Sequence, residues 1–467
     1  MVNAAGLPAG YDDDGRLKRT GTVFTAAAHI ITAVIGSGVL SLAWAMAQLG
    51  WIAGTLTLVA FSVITWYMSA LLADCYRSPD SITGSRNYSY RGAVKANLGG
   101  IQDRLCGVAQ YSNLVGSSIG YTITASISMA AVKRSNCFHR RGQAAGCHTS
   151  NSPFIIAFGC VEVFLSQLPD FHNLWGLSIL AAVMSFAYSF IGVGLSVAQV
   201  AGGRGHVERG LTGTAVGEDV TSAEKVWNSF QSLGNIAFAY AFSSILIEIQ
   251  DTLKSSPPEN QVMKKAAFLG TSVTTLFYML CGVVGYAAFG NAAPGNFLTG
   301  FGFYEPYWLI DFANLCIAVH LVGAYQVFVQ PFYAFVEGWC RRRWPESRFV
   351  KKECSVRVPA YGEIRVGLFR VVWRTAYVIA ATTVAMLLPF FNSFVGLLGG
   401  ITFWPLTVYF PTQMYIAQKK IRRFSRNWIL LQLVSFFCLL ISMAAAVASV
   451  EGLLLEVQKF KPFRTVS

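Results

Sequence analysis

Long apolar tracts dominate this chain, and its polar residues cluster between them. No Asp, Glu, Lys or Arg occurs from Gly21 to Ala73, from Leu105 to Val132, from Ala266 to Tyr304 or from Thr375 to Gln418. A helix that crosses a bilayer needs about 20 mostly apolar residues, whereas a barrel strand needs about half as many in alternation. The tracts therefore predict helices, and the longest hold two joined by a tight turn. Eleven spanning helices are expected, over residues 23–49, 51–74, 105–132, 153–169, 173–200, 226–248, 266–290, 306–336, 367–389, 392–417 and 428–450. They are numbered helices 1 to 11 in that order. The expected fold class is an all-α polytopic membrane protein: a polar tail over 1–22, a transmembrane domain over 23–456 and a second tail over 457–467. The 337–365 loop reads as a short basic connector, and no soluble domain is expected.

Composition sharpens this picture. The chain is 54% hydrophobic and 13% charged, while soluble domains carry about 25% charged residues. So few charges cannot cover a soluble surface of this size, but lipid requires no such cover. The net charge of +13 does not point to nucleic acid, because the basic residues flank apolar tracts and read as topology signals. With the N-terminus placed in the cytoplasm, the inside segments hold 24 Lys and Arg and the outside segments 10. The C-terminus then lies outside. The polar start, with Asp12, Asp13 and Asp14, does not resemble a secretory signal peptide.

Most of the ten Cys lie scattered in apolar tracts, where Cys serves as a small packing residue. Cys137 and Cys147 share one polar loop. That loop falls outside in this topology, where a disulfide can persist. The glycosylation-like triplet Asn87-Tyr88-Ser89 falls inside, where it stays unused.

Helix 1 reads AHIITAVIGSGVLSLAWAMAQLG, with Gly36-Ser37-Gly38 near its middle. Two readings are open. The glycines can form a close packing surface for a neighbouring helix, or they can break the helix. Lipid cannot satisfy the N–H and C=O groups freed by a break, so a break must face a cavity and bind something. The N–H groups of Ser37, Gly38 and Val39 would then face an anion such as a carboxylate, and the carbonyls of the other half-helix would face an ammonium. Helix 6 carries a second weak segment, with Gly234, Asn235, Ser243 and Ser244 amid aromatic and small residues. Transporters commonly repeat a five-helix unit upside down, which makes helices 1 and 6 counterparts. Inverted repeats of helices 1–5 and 6–10 plus one extra helix fit this plan, although no sequence identity reveals them.

Ionisable residues within a bilayer are costly and rare. His29 lies in helix 1 and His320 in the middle of helix 8. Each suits either a structural hydrogen bond or a proton site, since histidine titrates near neutral pH. Asp311 reads as a cap or solvated group and Glu162 as a structural residue of helix 4. Arg370 and Arg374, near the end of helix 9, are expected to snorkel. The sequence holds no phosphate-binding loop with its Lys, no His pair at metal spacing and no nucleophile elbow. An enzyme is not expected, and neither are a metal or an organic cofactor.

Several long stretches resemble the plant amino acid permeases of the amino acid/auxin permease family. They are AHIITAVIGSGVLSLAWAMAQLGWIAG (28–54), LADCYRSPDSITGSRNYSY (72–90), LCGVAQYSNLVGSSIGYTITASIS (105–128), AFAYAFSSILIEIQDTLKSSPPEN (237–260), YWLIDFANLCIAVHLVGAYQVFVQP (307–331), FWPLTVYFPTQMYIAQ (403–418) and KPFRT (461–465). The resemblance implies the leucine-transporter-like fold and proton-driven import of amino acids across a plant plasma membrane. The proton is then the coupling ion, and the partners are an amino acid, a proton and the lipid bilayer. The substrate site implied comprises Gly36, Ser37, Gly38 and Val39 of helix 1, Phe238, Ala239, Tyr240, Phe242 and Ser243 of helix 6, and Tyr121 of helix 3. His29 and His320 match positions associated with transport. One departure stands out: Gly234-Asn235-Ile236-Ala237-Phe238 occupies the place of the usual Gly-Asp-Ile-Ala-Phe, so an amide replaces a carboxylate. A carrier of auxin or another small carboxylate, and a receptor that binds amino acids without moving them, are the alternatives.

Overall fold

The computed structural model describes residues 11–142, 146–167, 175–203, 207–217, 220–301, 306–358 and 362–459. The KPFRT stretch, most of the C-terminal tail and the first ten residues lie outside the described residues.

The helices follow the apolar tracts. Helix 1 begins at Val23–Val34, resumes as a 3-10 turn at Ser37–Ser41 and runs into Leu42–Asp74. That last element bends at Gly50, where φ is +78°, and the bend separates helix 1 from helix 2. A Cβ on Gly50 would lie 2.2 Å from the backbone N of Gly213, so both the backbone angle and the space demand glycine. Helix 3 is Gly100–Arg141, helix 4 Ser152–Ser166 and helix 5 Trp175–Ala201. Helix 6 runs over Ser222–Ala239, a 3-10 turn at Ser243–Ile245 and Leu246–Gln250. Helix 7 spans Glu259–Met279 and, past a π turn at Leu280–Val284, Gly285–Phe289. Helix 8 is Tyr307–Arg343 and helix 9 Leu368–Leu387. Helix 10 is Phe391–Phe403, a π turn at Trp404–Tyr409 and Phe410–Gln418, and helix 11 is Arg426–Lys459. Pro405 and Pro411 lie in or next to the helix 10 π turn, and a proline has no N–H for the helical ladder.

Three features depart from the expected pattern. The polar stretch after helix 2 forms an antiparallel pair, Arg77–Ser78 with Ser85–Arg86, and a short helix, Tyr90–Leu98, capped by the Ser89 hydroxyl. The loop after helix 8 is more than a connector: Glu353–Val358 and Gly362–Gly367 pair as an antiparallel hairpin. Spans this short and polar escape a search for apolar length. Arg374 does not snorkel. It is 3% exposed, and its Nε donates to Glu337 Oε1 at 2.7 Å.

The chain packs as two units. The first gathers the residues up to Ser112, Leu195–Phe297 and Asn392–Gly452. It holds helices 1, 2, 6, 7 and 10 with most of helix 11. The second gathers Asn113–Gly194, Leu298–Phe391 and the end of helix 11, so it holds most of helices 3 and 5 with helices 4, 8 and 9. Large apolar residues point outward, including Leu430, Leu433, Phe436, Phe437 and Val447 on helix 11. Polar residues point inward: Ser118, Thr122, Thr124 and Ser126 of helix 3 are buried and return hydrogen bonds to their own helix carbonyls. An apolar exterior over a hydroxyl-lined interior is stable in lipid and costly in water.

At one end of the first unit the tail is tied down by charge. Arg19 bonds Asp12, Asp14 and Asp251 at 3.1, 2.7 and 2.8 Å. Burial works against the charges of Asp12 and Asp14, but the Arg19 hydrogen bonds outweigh it and hold both carboxyls below their ordinary range. A lowered folded pKa gives stability that is present above the unfolded value, about 3.9, and is lost as pH falls through the folded one. The clasp is therefore intact at neutral pH. In the second unit Cys137 and Cys147 are joined by a disulfide, with Cα atoms 5.9 Å apart.

Candidate functional site

The site is built where helices 1 and 6 stop and restart. In helix 1, regular α-helix ends at Val34, and Gly36 is extended at φ −137° and ψ −147°. In helix 6, it ends at Ala239, and Tyr240 to Phe242 lie outside any helix. The two interruptions meet inside the first unit. A Cβ on Gly38 would lie 2.8 Å from the Cα of Ala239, so a hydrogen at position 38 is what allows the backbones to touch. Both readings of Gly-Ser-Gly thus hold together: Gly38 packs a neighbour, and the helix breaks beside it.

A side chain of helix 7 ties the two ends. The Tyr278 hydroxyl lies 2.6 Å from the Val34 carbonyl and 2.8 Å from the Ala239 carbonyl. The Ala239 carbonyl ends a helix, and the Val34 carbonyl also accepts the Gly36 N–H at 2.9 Å. The one phenolic hydrogen lies within reach of both carbonyls and donates to one at a time or is shared between them. Across the gap, helix restarts as 3-10 turns, whose first N–H groups the turns cannot use. Val39 N–H is taken up by the Gly36 carbonyl at 3.3 Å. Among the described residues, no acceptor bonds the N–H groups of Ser37, Gly38, Ser243 or Ser244. The Ser243 hydroxyl is buried and likewise unpartnered. Four backbone donors and one hydroxyl at two helix starts make an anion-receptive surface.

The other expected site residues divide. Val39, Ala239 and Phe242 are buried at the two interruptions, and Phe238 is half-buried. The Tyr240 ring meets Tyr278 edge-on at 5.1 Å, and its hydroxyl donates to Thr275 Oγ1, which is 2.6 Å from Ser62 Oγ. Tyr240 is thus engaged by helices 2 and 7. Tyr121 lies in the second unit, edge-on to Phe328 at 5.3 Å. His29 is on an exposed face of helix 1 in the first unit, whereas His320 is buried in the second. His320 Nδ1 lies 2.7 Å from the Ala181 carbonyl. Only a ring N–H can make that contact, so Nε2 is the nitrogen left to accept a proton.

Asn235 is fully buried, with neither amide atom hydrogen-bonded. It faces the glycine-rich start of helix 10, where a Cβ on Gly396 would lie 2.7 Å from Asn235 Oδ1 and one on Gly399 only 1.9 Å from the Gly234 carbonyl. The sequence reading missed Tyr278, Thr275 and Ser62. Their only signal is polarity within apolar helices, which many packing hydroxyls share. Removing the hydroxyl tests its role. Tyr278→Phe should lower uptake per transporter at the surface severalfold, the equivalent of about 1 kcal/mol for a lost buried hydrogen bond. Radiolabelled uptake normalised to surface protein reads this, and unchanged uptake would show that the cap is dispensable.

Comparisons with known proteins agree with this architecture. The model of the family described as "Transmembrane amino acid transporter protein" matches residues 19–455. The chain is 64% identical to amino acid permease 8 of Arabidopsis thaliana over 456 residues, covering 97% of this chain and 96% of that protein. It is 62% identical to amino acid permease 6 of the same plant, covering 97% and 95%. Among solved structures, the crystal structure of MhsT in complex with L-phenylalanine superposes with a TM-score of 0.57, covering 92% of this chain and all of that one. At 12% identity this likeness concerns the fold alone, that of the leucine-transporter-like proteins.

Proposed function

The chain belongs to the transmembrane amino acid transporter family, and on that premise we propose that it imports amino acids across the plasma membrane together with protons. It is a multi-pass membrane transporter of amino acids and not an enzyme. The observation that carries the mechanism is the meeting of two interrupted helices at Gly38 and Ala239. The α-carboxylate docks on the N–H groups of Ser37, Gly38, Ser243 and Ser244, with the Ser243 hydroxyl as a further donor. Carbonyls at the interruptions receive the α-ammonium. Both charges of a zwitterion are then met by backbone dipoles, which leaves side-chain selectivity to Val39, Phe238 and Phe242. Alternating access follows from closing the interruptions toward one side at a time.

The N-terminus lies in the cytoplasm and the C-terminus outside, as the Lys and Arg bias requires. The disulfide loop then faces out. After mild reduction, a membrane-impermeant maleimide added to intact cells should label Cys137 and Cys147. Labelling that requires permeabilised cells would reverse the topology.

Coupling is assigned to the proton, with His320 and His29 as titrating groups. Support comes from the open Nε2 of His320 and from the rarity of ionisable groups in these helices. The test is the current evoked by neutral amino acids in an expressing cell. An inward current that grows as outside pH falls is the expected result, and uptake without current would remove the proton. His320→Asn and His29→Asn should weaken the pH dependence. If it survives in both variants, the proton binds elsewhere.

A further inference from the structure

The second unit buries a carboxyl for which the mechanism above has no use. Glu162 lies in the middle of helix 4 and is 0% exposed. Its Oε2 accepts from Gln326 Nε2 of helix 8 at 2.6 Å, and its Oε1 has no partner. Among the described residues no Lys or Arg pairs with it. A buried charge answered by one amide is costly, and far more so than the neutral acid. A group meant only to brace helix 4 against helix 8 would do the same work as glutamine, without that cost.

Glu162 also stands at the head of a polar string. Gln326 Nε2 is 3.1 Å from Ser166 Oγ, which lies 3.1 Å from the Tyr333 hydroxyl. The Ser166 carbonyl accepts from Arg374 Nη1 at 2.7 Å, and Arg374 pairs with Glu337. Arg374 also lies over the Tyr333 ring at 4.9 Å. Glu337 lies four residues before the basic end of helix 8, Arg341–Arg343, which the charge bias places in the cytoplasm. Tyr325 and Tyr333 of helix 8 interact electrostatically with Glu162, while from helix 9 Arg374 reaches the Ser166 carbonyl and Glu337, and Tyr377 meets Tyr333 edge-on at 5.3 Å.

We propose that Glu162 carries the coupling proton, held between helices 4 and 8 and released along the Ser166–Tyr333 string toward the Glu337 end. The step moves one proton and no electrons: a carboxylate oxygen takes H+ from water and later returns it to water. The inference rests on the proton-coupled reading, and Glu162 acts in addition to the two histidines.

The experiment compares wild type, Glu162→Gln and Gln326→Leu, measuring amino-acid-evoked current against outside pH and exchange of labelled for unlabelled amino acid. Glu162→Gln should lose the pH-dependent current while exchange, which needs no net proton movement, remains measurable. Gln326→Leu removes the one donor to the carboxylate and favours the protonated form. It should move the pH of half-maximal current upward by about one unit. A brace without a proton would leave that midpoint in place. Wild-type current and pH profile in Glu162→Gln, or an unmoved midpoint in Gln326→Leu, overturns the proposal. The second variant decides alone where the first does not reach the surface. Absence of current in the wild type would instead overturn the coupling reading itself.

Discussion

Gly38→Leu should abolish amino acid uptake while leaving protein in the membrane. A Cβ at position 38 would lie 2.8 Å from the Cα and 3.0 Å from the Cβ of Ala239. The first contact is with backbone, which has no rotamer to swing away. The helix 1 and helix 6 interruptions would have to part, and the unused N–H groups of Ser37 and Gly38 would move with them. Gly38→Ala tests the same geometry with one carbon, because the clash begins at Cβ. Its uptake should fall by roughly tenfold or more, in line with the cost of about 1–3 kcal/mol for overpacking a tight contact. Surface biotinylation alongside radiolabelled uptake separates lost function from lost protein. Retained uptake at ordinary affinity in Gly38→Leu would mean that the interruptions do not hold substrate.

Glu259→Gln should give the largest loss of stability. Glu259 opens helix 7 with a side chain 2% exposed, and it receives Arg77 at 2.7 Å and Arg86 at 3.0 Å. Asp13 reaches both arginines from the N-terminal tail. Deleting the buried carboxylate leaves two buried guanidinium groups that share the half-exposed Asp13, with Asp14 3.5 Å from Arg86, a change that costs up to about 3–5 kcal/mol. The thermal midpoint of the purified protein should fall by several degrees. Asp13→Asn, at a side chain 49% exposed, should cost less than about 1 kcal/mol. Equal losses in the two variants would show that the network is not centred on Glu259.

Apolar length made the membrane helices legible, since lipid imposes a minimum run that few other structures need. Gly36-Ser37-Gly38 points to the middle of helix 1, but alone it suits close packing as well as a break, and the second weak segment in helix 6 is what favours the interruption. The helix 6 interruption was fainter. Tyr240 to Phe242 are apolar or aromatic residues of ordinary kind, and the expected correspondence of helices 1 and 6 and the resemblance to the amino acid permeases are what point to them. Tyr278 was illegible, because a tyrosine that reaches two helix ends looks the same in sequence as one that fills a core. Arg374 was misjudged for a similar reason. Its partner Glu337 lies on another helix, and sequence position alone shows an arginine near a helix end, free to reach water. Glu162 is legible as an intramembrane acid, but its polar surroundings are not, since Gln326 lies on another helix. The polar loops yielded least: hairpin 353–358 with 362–367 has no apolar length, and only Pro359 and Gly362 in sequence hint at a turn.

The central claim is that the interruptions bind both charges of an amino acid, and competition binding to the purified transporter tests it most directly. Neutral amino acids should displace a labelled amino acid. Their methyl esters, which lack the carboxylate, and their N-acetyl derivatives, which lack the ammonium, should fail to displace it. Each modification removes one charge from a site that meets both with backbone dipoles, and a lost charge-assisted contact costs about 1.5–3 kcal/mol. Displacement by the N-acetyl derivatives as strong as by the free amino acids would contradict the account and make the site one for carboxylates alone.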